Sequence, residues 1–282
     1  MQLWQRIGGV VAVGLVGLVG VVGGLVAWGG PLNDLRPDVI TVDAPQPDRE
    51  AKGRELLQAA YEAHGAKRWM DQPGQRLQLR DDWPGTMGVI SRPWPLDGQR
   101  LTVHQRRHNS FDSEVVMHGE GVEGTVWAIQ DGQPYKQLPG QPRAAVDDDA
   151  IAFLLPTMHY FVELPQRITE AELVRYVGTE TVGDTTYEVV YATWGSWAAN
   201  DTYDQYLVYI DPQTGRIDKA AYTVRDITRF LGGAAHYDGF DEVGGVLMPG
   251  TITITFDVND DPTDDANVIH RMTIESLEIA AL

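Results

Sequence analysis

The 282-residue chain contains no cysteine. That absence excludes disulfides, a thiolate nucleophile, cysteine-ligated metals and the lipid-modified cysteine of a bacterial lipoprotein, and redox chemistry gives no clue to compartment. Positive charge is scarce as well. The 22 Lys and Arg stand against 40 Asp and Glu, for a formal charge of −18. A surface of that sign repels polyphosphate, so no nucleic acid partner is expected, and a membrane would have to be met through apolar groups. Catalytic motifs are missing too. There is no Gly-x-Ser-x-Gly elbow, no phosphate loop and no Gly-x-Gly-x-x-Gly, and Gly195-Ser196-Trp197 has nothing beside it to order a base.

The seven histidines form no recognisable metal or acid–base motif. His104 and His108 are four apart and His118 follows, but the sequence there is strand-like and lacks the glutamate of a His-Glu-x-x-His helix. They read as surface histidines, His159 as a core or rim histidine, and His64 as a helix-end residue bonding last-turn carbonyls. Asp257 to Asp265 resembles a calcium loop in composition only. Pro262 stands where an EF-hand needs glycine, and Val268 where it needs glutamate. No catalytic residue, metal or cofactor is expected.

One stretch is free of charge. From Ile7 to Trp28 no ionisable residue occurs, a length close to the ~20 residues that cross a bilayer. Arg6 before the run and Asp34 and Asp38 after it favour an N-terminus on the cytoplasmic side, hence a single-pass protein of the cytoplasmic (inner) membrane with its globular part periplasmic or extracytoplasmic. A cleaved signal peptide is the alternative. Ala27-Trp28-Gly29 is a usable small-x-small site, but the run is long for one. Residues 1–30 are thus a membrane anchor or signal sequence. Four prolines make residues 31–47 a Pro/Asp-rich linker, read as an extended tether. The globular domain is 48–282.

Within the domain a helix is expected from an Asp48 N-cap to a Gly65 terminator, with Leu56, Leu57, Ala60 and Tyr61 on one stripe and Trp69 closing its end. A second follows Asp147-Asp148-Asp149. It is apolar nearly all round through Ile151, Phe153, Leu154, Leu155, Met158, Tyr160 and Phe161, and Pro156 is expected to bend or restart it. Almost everything else is β-writing. The best-signalled piece is a hairpin over Tyr203–Asp226, in which Tyr206, Val208 and Ile210 alternate with Leu207 and Tyr209. Asp211-Pro212-Gln213-Thr214-Gly215 supplies its turn, Asp211 bonding the backbone two residues on and Gly215 taking the left-handed position. Ten or so strands and two helices, with no internal repeat, predict a mainly β (α+β) fold: a large curved antiparallel sheet or half-open β-barrel with helices on its concave face, after one N-terminal transmembrane helix.

Several short segments resemble the LolA/LolB-like lipoprotein-carrier superfamily: the first helix ending Ala63-His64-Gly65 with Trp69 after it, Phe161-Val162-Glu163-Leu164-Pro165, the hairpin Tyr209 to Ile217, and Tyr237-Asp238-Gly239-Phe240 leading to Gly245-Val246-Leu247-Met248-Pro249. The resemblance implies a half-open barrel, helices lidding its concave face, and a cavity that shields acyl chains. LolA is soluble and LolB is lipid-anchored, whereas this chain has no lipobox cysteine and carries a membrane-like run, which sets a tethered protein apart from a shuttle.

The expected function is a membrane-anchored, extracytoplasmic binding protein holding a lipid, a lipoprotein acyl chain or another hydrophobic small molecule without catalysis. Its cavity candidates are Trp127, Phe153, Leu154, Met158, Phe161, Tyr191, Trp194, Tyr206, Val208 and Ile210. The membrane is met through residues 7–28, and an envelope protein is a further possible partner. Two alternatives stay open. One is an interaction domain of an envelope complex whose core is filled by its own side chains. The other is a hydrolase assembled from scattered residues such as His104, Asp112 and His118.

Overall fold

The computed structural model describes residues 31–41, 44–106 and 110–279. The run 7–28 and His108 lie outside the described residues. No helix within them is long and apolar enough to cross a membrane.

The alternating segments form fifteen strands: β1 (Gly74–Asp82), β2 (Gln99–Arg106), β3 (Ser113–His118), β4 (Val126–Gln130), β5 (Gln133–Gln137), β6 (Ala144–Ala145), β7 (Leu173–Val182), β8 (Thr185–Thr193), β9 (Gln205–Ile210), β10 (Ile217–Thr223), β11 (Gly232–Asp238), β12 (Asp241–Val243), β13 (Val246–Met248), β14 (Thr251–Thr255) and β15 (Val268–Ile279). Thirteen make one antiparallel sheet in the order β6-β5-β4-β3-β2-β1-β15-β14-β11-β10-β9-β8-β7, and β12 pairs with β13 alone. The sheet does not close, since β6 and β7 are its two edges. It wraps instead: residues as far apart across it as Val115 of β3 and Val190 of β8 share one core with the helices.

Beside the sheet are α1 (Asp38–Thr41), α2 (Pro47–Ala63), α3 (Ala66–Met70), α4 (Thr86–Ser91), α5 (Asp149–Val162) and α6 (Leu164–Arg167). Helix α2 starts with Pro47 in its first turn, so Asp48 sits inside the helix and not at its cap. It ends as its sequence dictates, with Gly65 left-handed at φ +62°. Its arginines protect a sheet edge: Arg49 donates to the Tyr176 and Val177 carbonyls at 3.1 and 3.0 Å, and Arg54 to that of Glu172 at 2.7 Å, all on edge strand β7 or just before it. The other edge strand is only two residues long. Helix α5 is capped by the Asp148 carboxylate, which accepts from the Ile151 N–H at 3.1 Å. It continues through Pro156 without restarting, and the Thr157 hydroxyl bonds the Phe153 carbonyl at 2.7 Å beside it.

The β9–β10 turn is built as expected. The Gln213 N–H donates to the Asp211 carboxylate at 2.8 Å, and Gly215 has φ +74°. Both faces of the hairpin are covered. Tyr206, Val208 and Ile210 enter the main core, while Tyr209 joins Val189 and Ala221 in a second cluster on the opposite face.

Of the segment 31–47, read as an extended tether, residues 33–40 are docked on the domain. Leu35 packs against that second cluster, and Ile40 is buried in α1. The Asn33 N–H donates to the Arg229 carbonyl at 2.9 Å, the Leu35 N–H to the Gln205 side-chain oxygen at 2.8 Å, and the Arg36 guanidinium to the Trp197 carbonyl at 3.2 Å. Arg225 in turn donates to the Asn33 carbonyl. The prolines forbid a long helix there. They do not prevent Leu35 from docking where the outer face of the hairpin needs cover.

His64 ties three elements together. Its Nε2 accepts from the Ile217 N–H at 3.0 Å and its Nδ1 faces the Leu247 carbonyl at 3.4 Å, in place of the last-turn carbonyls expected of it. Burial, with Arg216 nearby, lowers its pKa to about 4 from 6.5. Between those values the unfolded chain binds a proton that the fold rejects, so His64 makes stability rise with pH over that window and fall on acidification. Replacing it with glutamine, a neutral acceptor, should flatten the decline in urea midpoint between pH 6.5 and 4 relative to wild type. An unchanged slope would remove His64 as its source.

Candidate functional site

Helix α5 lies over an aromatic floor laid by the sheet. Inward positions of β9, β10 and β11 present Tyr206, Tyr222 and Tyr237, and α5 contributes Tyr160 and Phe161. Ring centroids lie 5.7 Å apart for Tyr160–Tyr206, 4.9 Å for Phe161–Tyr222, 6.2 Å for Tyr206–Tyr222 and 5.9 Å for Trp194–Tyr206. Burial holds the phenols of Tyr160, Tyr206, Tyr222 and Tyr237 above their ordinary range, so the floor carries no charge at physiological pH. At its rim, burial pushes the Asp204 carboxyl up to about 7 despite the Arg225 N–H and Thr223 hydroxyl that donate to it.

Polar contacts hold α5 at its two ends. At the N-terminal end Lys136 meets Asp148 at 2.6 Å; burial opposes ionisation of that carboxyl, but Lys136 and the Ile151 N–H keep its pKa below the usual value. At the C-terminal end the Tyr237 hydroxyl donates to the Phe161 carbonyl at 3.3 Å. There Glu163, 1% exposed, stands between His159 Nε2 at 3.1 Å and the Arg167 guanidinium at 2.6 Å. Arg167 donates onward to the Ser110 carbonyl at 3.1 Å and covers the Phe111 ring at 4.1 Å. Between these ends the helix meets the floor mainly through apolar and aromatic contact, with the Tyr160 and Tyr206 hydroxyls facing each other.

Of the residues expected to line a cavity, Leu154, Met158, Phe161, Tyr206, Val208 and Ile210 come together in the core beneath or on α5. Trp127 and Trp194 pack half-buried against it. Phe153 is half-buried on α5 outside that core. Tyr191 departs from the expectation: Val190 and Ala192 of β8 point inward, so strand alternation turns Tyr191 to the other face, where it stacks on Trp197 at 6.2 Å.

The interior is filled. The residues under α5 are at most 8% exposed, and a crevice at the C-terminal end of the helix, lined by His64, Trp69, Phe161, Ile217 and Tyr237, has a volume of only about 10 Å³. Ligand pockets hold roughly 300–1,000 Å³. Of the two interiors left open by the sequence, a hollow or a packed core, the space beneath α5 is packed among the described residues by Tyr160, Tyr206, Tyr222 and Tyr237.

Sequence reasoning also missed a polar core. Asp81, fully buried, accepts from Trp83 Nε1 at 3.0 Å and Trp94 Nε1 at 2.6 Å and meets His270 Nδ1 at 3.1 Å; His270 stacks on Trp83 at 4.5 Å. The signal was present, since Asp81 is the next inward position after Leu77 and Leu79. Among the hydrolase candidates, His118 bonds the Thr102 hydroxyl at 2.8 Å and Glu123 at 3.0 Å, within a turn and its neighbouring strand. Asp112 accepts from the Asp131 N–H at 2.9 Å, at the other end of the sheet from His118. His104, on β2, pairs with Glu114 in the ladder.

No family model matches the sequence, and no curated protein matches it. Solved structures do. A LolA superfamily protein from Nitrosomonas europaea superposes with a TM-score of 0.50 at 13% identity, covering 82% of this chain and 94% of its own. An outer membrane lipoprotein-sorting protein domain from Vibrio parahaemolyticus gives 0.50 at 10% identity, with 81% and 92% covered. A DUF1329 family protein from Desulfovibrio piger gives 0.52 at 9%, with 82% and 93% covered. The chain has a LolA-like fold.

Proposed function

We propose, starting from that LolA-like fold, that this chain is a membrane-anchored extracytoplasmic protein that holds a hydrophobic ligand, such as the acyl chain of a lipid or lipoprotein, between α5 and its aromatic floor, without catalysis. The observation that carries the reading is the construction of α5: an apolar helix fastened by polar groups near its ends over an uncharged aromatic surface. Freeing the end contacts exposes a continuous apolar bed. Because the interior is filled, the ligand must replace contacts that α5 now makes. An acyl chain gains about 0.8 kcal/mol per buried methylene, so ten methylenes supply on the order of 8 kcal/mol, enough to offset the loss of a few side-chain contacts and polar latches. Two of the similar structures are described as a LolA superfamily protein and a lipoprotein-sorting domain, which agrees with such a ligand. The run 7–28 supplies the anchor, in the cytoplasmic membrane with the N-terminus inside and the domain outside.

A second reading is favoured by that same filled interior. In it the core is permanent scaffold and the protein acts through its surface on another envelope protein. Native mass spectrometry of the full chain, taken from membranes into amphipol, separates the two. The binding reading predicts one lipid-sized adduct that survives repeated detergent exchange. A bare protein mass throughout would leave the scaffold reading in possession.

A further inference from the structure

Helix α4 shows an inverted use of its side chains. Its buried side is glycine: a Cβ on Gly88 would lie 2.2 Å from the Ile269 carbonyl oxygen, and one on Gly85, just before the helix, 2.2 Å from that of Val268. With its backbone laid so closely on β15, the helix turns its large apolar residues outward. Met87, Val89 and Ile90 are 44, 57 and 60% exposed. Exposed apolar residues scattered singly are ordinary, but three in six residues, on a helix seated by its glycines, are an arranged surface.

The register shows which end of the molecule carries this surface. All sheet pairings are antiparallel, so connections fall alternately at two ends. Asp82 at the end of β1 pairs with Arg271, Thr255 pairs with Val268 and Ala234, and Thr223 pairs with Gly232. The α4 connection, exposed Phe256, the 257–267 loop and the β10–β11 turn therefore share one end. Residue 33 is fixed at that end as well, by the Asn33–Arg229 and Arg225–Asn33 bonds. From Trp28, the last residue of the uncharged run, to Asn33 is five residues, a reach of about 17 Å at full extension. A free tether over 31–47 would have allowed about 60 Å. Strand β15, on which α4 rests, is two strands from β11, roughly 10 Å across the sheet.

We infer that this end of the sheet faces the bilayer, and that α4 seats Met87, Val89 and Ile90 among the head groups of a neutral phospholipid surface. Docked residues 31–41 act as a short strut and hold the domain against the membrane. The charge of the lipid follows from the neighbouring loop, where Asp257, Asp260, Asp261, Asp264 and Asp265 would repel anionic head groups. The same five carboxylates, doubled on a chain of charge −18, argue against a second copy as the occupant. The inference rests on the membrane anchoring proposed above and is independent of ligand binding.

The absence of native cysteine makes the test direct. The full chain carrying Ile90→Cys, or Thr186→Cys at the β7–β8 turn on the opposite end, is labelled with an environment-sensitive fluorophore and reconstituted into phosphatidylcholine vesicles. Flotation with the vesicles first establishes anchoring, and its failure would overturn the premise and the inference together. In floated protein the label at 90 should lose roughly half its emission to nitroxide lipids, as a probe about 5–10 Å into the interface does. The label at 186 should lose little, and phosphatidylglycerol should weaken the effect at 90. A label at 90 that stays in water in floated vesicles overturns the inference while leaving anchoring and ligand binding intact. Equal shielding of that label in lipid-free amphipol also overturns it, in favour of a protein or second-copy contact.

Discussion

Asp81→Ala is expected to lower the stability of the folded domain by about 3–5 kcal/mol, which is a large part of the 5–15 kcal/mol typical of a native protein. The carboxylate is fully buried and receives two indole N–H groups and faces His270. Alanine leaves all three groups in a dry interior with no acceptor, and each orphaned donor costs about 1–3 kcal/mol. Asp81→Asn keeps an acceptor oxygen and should fall between wild type and alanine. Urea titration followed by tryptophan fluorescence measures both, since Trp83 and Trp94 report from the site itself. A shift in midpoint for alanine no larger than that of a surface substitution would mean that water satisfies the three donors and that this cluster does not hold β1, β15 and the 83–94 segment together.

Glu163→Ala should produce an effect of similar size with a different accompaniment. Its carboxylate lies between His159 and Arg167, and removing it leaves the half-buried Arg167 guanidinium beside Phe111 with only the Ser110 carbonyl left among these contacts. The expected loss is about 3–5 kcal/mol. Because Glu163 fastens the C-terminal end of α5, part of that loss should appear as local opening. Hydrogen exchange of α5 amides should accelerate more than that of β1 and β15, and an apolar dye should bind at denaturant concentrations where β1 and β15 remain protected. Tyr237→Phe, which removes only the hydroxyl bond to the Phe161 carbonyl, should act in the same direction at about 1 kcal/mol. Uniform acceleration across the sheet in Glu163→Ala would show that α5 does not open on its own.

The fold was legible where local chemistry and pattern agreed. Asp211 to Gly215 specifies its turn by side-chain bonding and a left-handed glycine, the alternation of Tyr206, Val208 and Ile210 names the inward face, and Gly65 ends α2. What depended on distant partners was not legible. Residues 31–41 look like a tether because their prolines speak locally, whereas their docking depends on Arg229, Gln205 and Trp197, far along the chain. Tyr191 has an aromatic's profile for a lining residue, and only the parity of β8 turns it to the outer face. Asp81 needed both tryptophans and His270 to be placed before a buried carboxylate made sense. The apolar character of α5 was plain from its residues. That its floor is filled by tyrosines followed from the register of β9, β10 and β11, which no single segment encodes.

The central claim is that α5 and its aromatic floor form the ligand bed. The most direct measurement uses a fatty acid carrying a diazirine in its chain, added to the full-length protein in nanodiscs, irradiated, and mapped by peptide mass spectrometry. The account predicts adducts on Met158, Phe161, Tyr206 or Tyr222, suppressed by excess unlabelled fatty acid. Adducts confined to residues 7–28, with none on α5 or on β9 and β10, would contradict it.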